Sequence, residues 1–172
     1  MCTSFIHRGK DTIIAMNFDN NGMKYSINTK NPRWFVALVD GGRGKYPSFG
    51  VNSEGVFFIN LVVDSNGKGQ YKRPSSKVTH TTKLITDILN DVISVDELGE
   101  YLEKTEVVNT PDWSCHSMIC DSNSNTWIIE PGRGNINEDA GKSRYSIMTN
   151  FSLWDSINLN IKPSCNRYNT AL

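Results

Sequence analysis

The stretch from Phe49 to Val63 constrains the fold of this chain more than any other. Phe49-Gly50-Val51-Asn52 and Val56-Phe57-Phe58-Ile59-Asn60-Leu61-Val62-Val63 are runs of strand length, rich in β-branched and aromatic residues, on either side of Ser53-Glu54-Gly55. That pattern predicts an antiparallel hairpin. Asn60 interrupts the apolar run of the second strand. A buried amide needs hydrogen-bond partners, so Asn60 is either a structural bridge or part of a site.

Further strands are expected on both sides of this hairpin. Thr3 to His7 alternates weakly, Lys10-Asp11 offers a turn, and Thr12 to Asp19 reads as the returning strand, closed by Asn20-Asn21-Gly22. Trp34 to Val39 is another apolar run of strand length. The glycines of Gly41-Gly42-Arg43-Gly44 do not lead into a helix, so they form a loop and no phosphate cradle. After the polar loop from Lys68 to Ser76 the period changes. Leu84, Ile85, Ile88, Leu89 and Val92 recur at helical spacing, and Ser94-Val95-Asp96-Glu97 has capping-box spacing for a second helix from Val95 to Lys104. His116 to Cys120 and Thr126 to Glu130 predict a hairpin around Asp121 to Asn125, and Arg144 to Asn150 gives one more strand. The order of strands, two helices and strands predicts an α+β fold of stacked helix and antiparallel sheet layers.

Composition narrows the function. The chain has 172 residues, enough for one domain with its own core. Its 18 basic residues balance its 18 acidic ones, without blocks of like charge, which argues against an electrostatic nucleic-acid binder. No segment has the length and apolarity of a signal peptide or a membrane span, so a cytoplasmic location is the expectation and the four cysteines are read as thiols.

One of these thiols is distinctive. Once Met1 is removed, Cys2 carries a thiol and a free α-amine on one residue, with ordinary pKa values of about 8.5 and about 7.7–8.0. The amine can take the thiol proton, and a nucleophile activated by its own terminal amine is an established scheme. The first hairpin would carry Asp19 or Asn17 back towards that amine, although Asp19 can equally well just open the Asn-Asn-Gly turn. Other chemistries lack support. Cys115, His116 and Cys120 have no paired-ligand spacing for zinc, and without a Gly-x-Ser-x-Gly elbow or clustered histidines a serine triad finds no footing.

Met1-Cys2-Thr3-Ser4-Phe5, Asn17-Phe18-Asp19, and Asn52-Ser53-Glu54-Gly55 leading to Ile59-Asn60-Leu61 resemble, in that order, the choloylglycine hydrolase family. The family includes bile salt hydrolases and penicillin V acylases. The similarity continues through His116, Ile128-Ile129-Glu130-Pro131, Met148-Thr149-Asn150 and Asn166-Arg167-Tyr168, across essentially the whole chain. The resemblance implies an amino-terminal-nucleophile (Ntn) hydrolase fold, an αββα sandwich of antiparallel sheets and helix layers. It also implies Cys2 as nucleophile and Asp19 as the carboxylate holding its amine. Asn60 would lend a backbone N–H to the oxyanion hole, Asn150 a side-chain donor, and Arg167 a positive charge near the nucleophile that favours the thiolate. No cofactor is implied. The partner is a small N-acyl amide, with no nucleic acid and no membrane insertion.

Two departures from the family stand out. Met16 occupies the place where many relatives have an arginine, before Asn-Phe-Asp. The relatives are also considerably longer, so residues 1–172 would be the amino-terminal part of the family's domain, incomplete at its carboxyl end. Arg167 to Leu172 reads as the opening turn of a helix. The expected consequence is an exposed apolar sheet face or unpaired strand edges, which a homo-oligomer would cover. Two other functions remain open: a truncated relative acting as a non-catalytic binding module, and an acyltransferase of the same fold.

Overall fold

The computed structural model describes residues 2–138, 143–160 and 165–171, so the expected processing at Met1 and the last residue of the expected helical turn, Leu172, lie outside the described residues. In chain order the strands are β1 (Thr3–Arg8), β2 (Thr12–Asn17), β3 (Tyr25–Asn28), β4 (Trp34–Asp40), β5 (Lys45–Asn52), β6 (Phe57–Val62), β7 (Val78–His80), β8 (Glu106–Val108), β9 (Cys115–Cys120), β10 (Thr126–Glu130), β11 (Gly134–Glu138) and β12 (Tyr145–Met148). The helices are α1 (Thr81–Leu89), α2 (Leu98–Lys104), α3 (Leu153–Asn158) and α4 (Asn166–Ala171). The hairpin expected between Phe49 and Val63 is β5–β6, paired from Phe49↔Ile59 to Val51↔Phe57.

A seven-stranded sheet has the order β11-β10-β9-β6-β5-β4-β3, and a three-stranded sheet the order β12-β1-β2, both antiparallel. A short parallel pair, β7–β8, joins the helical region. Side chains alternate across a strand, so each central strand of the large sheet feeds two cores. Phe58, Ile119 and Ile129 point to one side, where they pack with Leu84, Ile85, Ile88 and Leu98 of α1 and α2. Ile59, Leu61, Met118 and Ile128 point to the other and meet Ile6 and Met148 of the small sheet. The α+β sandwich of antiparallel sheets with a helix layer is therefore present. Arg8 ties its two sheets together, donating from Nε to the Ser124 carbonyl at 2.9 Å and from a terminal nitrogen to Ser146 Oγ at 2.7 Å.

The helices differ from expectation at the end of α1, which stops at Leu89 and leaves Val92 outside and exposed, and at the start of α2. α1 begins at Thr81, ahead of its apolar repeat, because His80 Nδ1 accepts the Lys83 N–H at 3.1 Å and caps it. Half of the Ser94–Glu97 box forms, the Glu97 N–H reaching Ser94 Oγ at 3.3 Å, while Glu97 Oε2 accepts the Ser94 hydroxyl at 2.9 Å and not its backbone N–H. It closes a separate turn that buries Val95, and α2 starts only at Leu98.

Candidate active site

Register alone assembles the first residues of the site. Ser4 pairs with Met148 and Thr3 with Asn17. Continuing both ladders outward from β1 sets Cys2 opposite Asn150 on one side and beside Phe18-Asp19 on the other. The contacts follow: the Cys2 backbone N–H donates to Asn150 Oδ1 at 2.9 Å, and Cys2 Sγ lies 3.4 Å from the Asp19 carbonyl oxygen. Asn150 is held from behind, its Nδ2 donating to the Val62 carbonyl at 2.7 Å. Arg167, on α4, donates to the Cys2 carbonyl at 2.6 Å and to Asn150 Oδ1 at 3.3 Å.

Asp19 fills the turn-opening role left open for it. Its carboxylate opens the turn by accepting the Asn21 N–H at 3.0 Å, and Asn21 and Gly22 take φ of 51° and 77°. Its carboxyl is also held below the ordinary carboxylate range, first by a hydrogen bond from the terminal ammonium, which with Met1 in place is not that of Cys2, and then by the Asn21 N–H.

Asn60 is a bridge at the edge of the site. Its Nδ2 donates to the Pro47 carbonyl at 2.8 Å, and its Oδ1 accepts the Ser117 hydroxyl at 2.6 Å. The reason lies in β5. Its pairing with β4 shifts register between Ala37↔Phe49 and Leu38↔Pro47, leaving Ser48 as the extra residue of a bulge. Pairing of β5 with β6 stops at Phe49↔Ile59, and Pro47 has no N–H to give. The two strands splay, and the Asn60 side chain supplies the link that the ladder no longer makes.

The splay opens a cavity of about 610 Å³. Cys2, Asp19, Asn60 and Asn150 stand on its wall, together with apolar groups such as Phe18, Met23, Val62 and Trp113. The structure thus brings four of the five expected residues onto one cavity and sets Arg167 against two of them. The Val62 carbonyl and the Ser48 bulge were not expected; the only trace of either in the sequence is Pro47 within a strand.

The four cysteines sit in different surroundings. Cys115 lines the same cavity, but enclosure of its thiol pushes it up to about 12. Burial also raises Cys120. At Cys165 burial works upward too, yet the Thr149 hydroxyl, the Tyr168 N–H and Arg167 outweigh it and bring that thiol below its ordinary value. Among the described residues no three His, Cys, Asp or Glu side chains converge to hold a metal ion, and no helix is long and apolar enough to cross a membrane.

No protein-family model matches the sequence, and no curated protein matches it either. Solved structures do match. The C2A variant of the conjugated bile acid hydrolase from Clostridium perfringens superposes with a TM-score of 0.61 at 18% identity, over 93% of this chain and 57% of that one. The Caenorhabditis elegans ortholog of N-acylethanolamine-hydrolyzing acid amidase gives 0.59 at 14% identity, over 99% and 76%. This chain has the choloylglycine hydrolase-type fold. The penicillin V acylase from Agrobacterium tumefaciens adds a TM-score of 0.51 at 15% identity, over 92% of this chain and 47% of that one. At such identities the likeness is one of fold, and the choloylglycine hydrolase-type fold seen here spans 57% of the length of the bile acid hydrolase.

Proposed function

We propose that the chain is an amidohydrolase acting on a linear N-acyl amide through Cys2 as amino-terminal nucleophile. The observation that carries this reading is the placement of Cys2. Its nitrogen is held by Asn150, its sulfur lies against the Asp19 carbonyl, Arg167 grips its carbonyl, and all this happens at the wall of an apolar cavity.

With Met1 removed, the Cys2 amine takes the thiol proton as sulfur attacks the carbonyl carbon of the substrate amide. The amide oxygen becomes an oxyanion. Two donors are proposed for it: the backbone N–H of Asn60, fixed in place by its own side-chain bridge, and the second N–H of the Asn150 amide, whose first is spent on Val62. Each such donor typically contributes a factor of about 10²–10³. Collapse of the intermediate breaks the C–N bond, and the leaving amine takes the proton from the Cys2 ammonium. Water then attacks the thioester, gives a proton to the Cys2 amine, and frees the acid and the thiol. Asp19 keeps the terminal amine oriented through both steps. The reaction needs no cofactor. A cavity of about 610 Å³ with mainly apolar walls suits an apolar acyl group of drug-like size. A bile acid, the side chain of penicillin V and a fatty acyl chain all have that character.

Intact mass and acyl capture test this reading. The active protein will begin at Cys2. It will gain the mass of one acyl group at Cys2 when mixed with penicillin V or a glycine-conjugated bile salt, and Cys2→Ala will abolish both the adduct and hydrolysis. A soluble, active protein retaining Met1, or unchanged hydrolysis by Cys2→Ala, would remove the nucleophile. A folded parent with no adduct on either substrate would favour the non-catalytic binding module, and acyl transfer to an added amine would favour the transferase.

A further inference from the structure

The proposed chemistry leaves one buried pair of titratable groups unused. Continuing the β9–β10 register past Ser117↔Ile129 sets His116 opposite Glu130, and both side chains are fully buried. His116 Nε2 lies 2.6 Å from the Thr149 carbonyl oxygen, and Nδ1 lies 2.9 Å from Glu130 Oε1. A carbonyl oxygen only accepts, so Nε2 carries a hydrogen.

Glu130 is ringed by donors. Oε1 accepts the Leu153 N–H at 2.8 Å, and Oε2 accepts the Trp154 N–H at 3.2 Å and the Ser152 hydroxyl. That hydroxyl oxygen already accepts the Asp155 N–H at 3.0 Å, so its own hydrogen points at the carboxylate. Three donors besides the imidazole converge on the two oxygens, and one hydrogen shared between Nδ1 and Oε1 completes the contacts of the pair. Both ring nitrogens and both carboxyl oxygens are engaged, the condition under which polar groups persist in an interior.

Its place in the chain gives it a use. Thr149 immediately precedes Asn150, and Ser152, Leu153 and Trp154 follow two to four residues later. The His116 Nε2–H grips the carbonyl just before Asn150, and the Glu130 carboxyl grips the three donors just after it. Neither His116 nor Glu130 lines the cavity. We propose that His116 and Glu130 are positioning residues that clamp the backbone on both sides of Asn150 and so hold its amide against the Cys2 nitrogen. This inference rests on the reading of Cys2 as nucleophile and goes beyond it, because it assigns a role to groups that touch neither substrate nor nucleophile.

The test uses two variants that each keep one half of the clamp. His116→Gln can place an amide N–H where Nε2 stood, facing Thr149, whereas His116→Asn can reach only the Nδ1 position, facing Glu130. Site-resolved alkylation of Cys2 by iodoacetamide is measured on both, with melting temperature alongside. Loss of one buried hydrogen bond predicts Cys2 alkylation about tenfold slower in His116→Asn, with His116→Gln staying within about threefold of the parent. In the parent, ¹⁵N spectra of the imidazole signal lost in both variants will show a protonated Nε2. A bare Nε2, or parental alkylation rates in both variants despite equally lowered melting temperatures, would overturn the proposal. A parental Cys2 no faster than Cys165 would instead sink the nucleophile reading. The shift of the Asn150 side-chain amide in the two variants, moved in His116→Asn and retained in His116→Gln, then decides the clamp by itself.

Discussion

Thiol surroundings separate four chemically identical side chains. Cys115 shares the cavity with Cys2, yet enclosure pushes its thiol up to about 12, and Cys120 is raised by burial as well. Thiolate, not thiol, reacts with alkylating agents. Brief iodoacetamide treatment at neutral pH should therefore label Cys2 and leave Cys115 and Cys120 unmodified. Cys165 is the competitor, because Thr149, Tyr168 and Arg167 draw its thiol below the ordinary value. Peptide mapping checks this, and labelling of Cys115 as fast as Cys2 would contradict it. Glu130 gives a pH prediction. Burial works to raise its carboxyl, but the His116 and Ser152 hydrogen bonds and the Leu153 N–H outweigh that and hold it below 4.5. A depressed carboxyl contributes stability that is fully present above its unfolded value and lost as pH falls through the folded one. Glu130→Gln turns one of the acceptor oxygens into an NH2 that faces donors and should cost about 1–3 kcal/mol near neutrality. The gap from the parent should close as pH drops below 4.5, read from urea midpoints measured across that range.

The site depends on where two strands of one hairpin stop pairing. β5 and β6 run together only from Val51↔Phe57 to Phe49↔Ile59, and Gly50 sits at the middle of that short contact. A Cβ on Gly50 would come within 2.5 Å of the Phe35 carbonyl oxygen and 2.7 Å of a Phe58 ring carbon. Gly50→Ala should accordingly destabilise the protein by about 1–3 kcal/mol through overpacking. It should also slow Cys2 alkylation, since the displaced β5 carries Pro47, the anchor of Asn60. Thermal melting and labelling measured together check both halves. The hairpin itself was legible because its strands are long and apolar, and Thr126 to Glu130 was placed to the residue for the same reason. β3 and β11 were not, because Tyr25-Ser26-Ile27-Asn28 and Gly134-Asn135-Ile136-Asn137-Glu138 are edge strands whose half-polar sequences become strands only beside β4 and β10. His116 and Glu130 are the outer ends of the hairpin expected around Asp121 to Asn125, but nothing in their residue types marks them as a pair. Fourteen residues apart, they meet through strand register, which periodicity does not reveal.

At the scale of the molecule, three layers are well built: α1 with α2, the seven-stranded sheet, and the three-stranded sheet. Beyond them, α4 touches β1 and β12 with only six residues. Register places Phe5, His7, Ile13 and Tyr145 on the outer face of the small sheet, opposite the side that carries Ile6. Phe5 is 37% exposed, Tyr145 45% and Ile13 55%, and Ile13 belongs to β2, an edge of the sheet. A patch of apolar side chains next to an unpaired edge offers both burial and backbone pairing to a second copy. Self-association of the 172-residue chain is therefore the expected behaviour, with sedimentation showing species above monomer mass at micromolar concentration. Ile13→Lys places a charge on that edge without touching either core, so it should shift the distribution towards monomer. Its cost in stability should stay within about 0.5 kcal/mol, as for a surface substitution. A parent that sediments as a monomer and unfolds in one cooperative step would show that two cores and one helix layer suffice, and that the outer face needs no cover. Cys2 alkylation measured on the same samples links this scale to the site. β1 carries Cys2 at one end and Phe5 in its middle, so covering the outer face should stiffen the strand that presents the nucleophile, and labelling of the associated form should differ from that of the Ile13→Lys monomer.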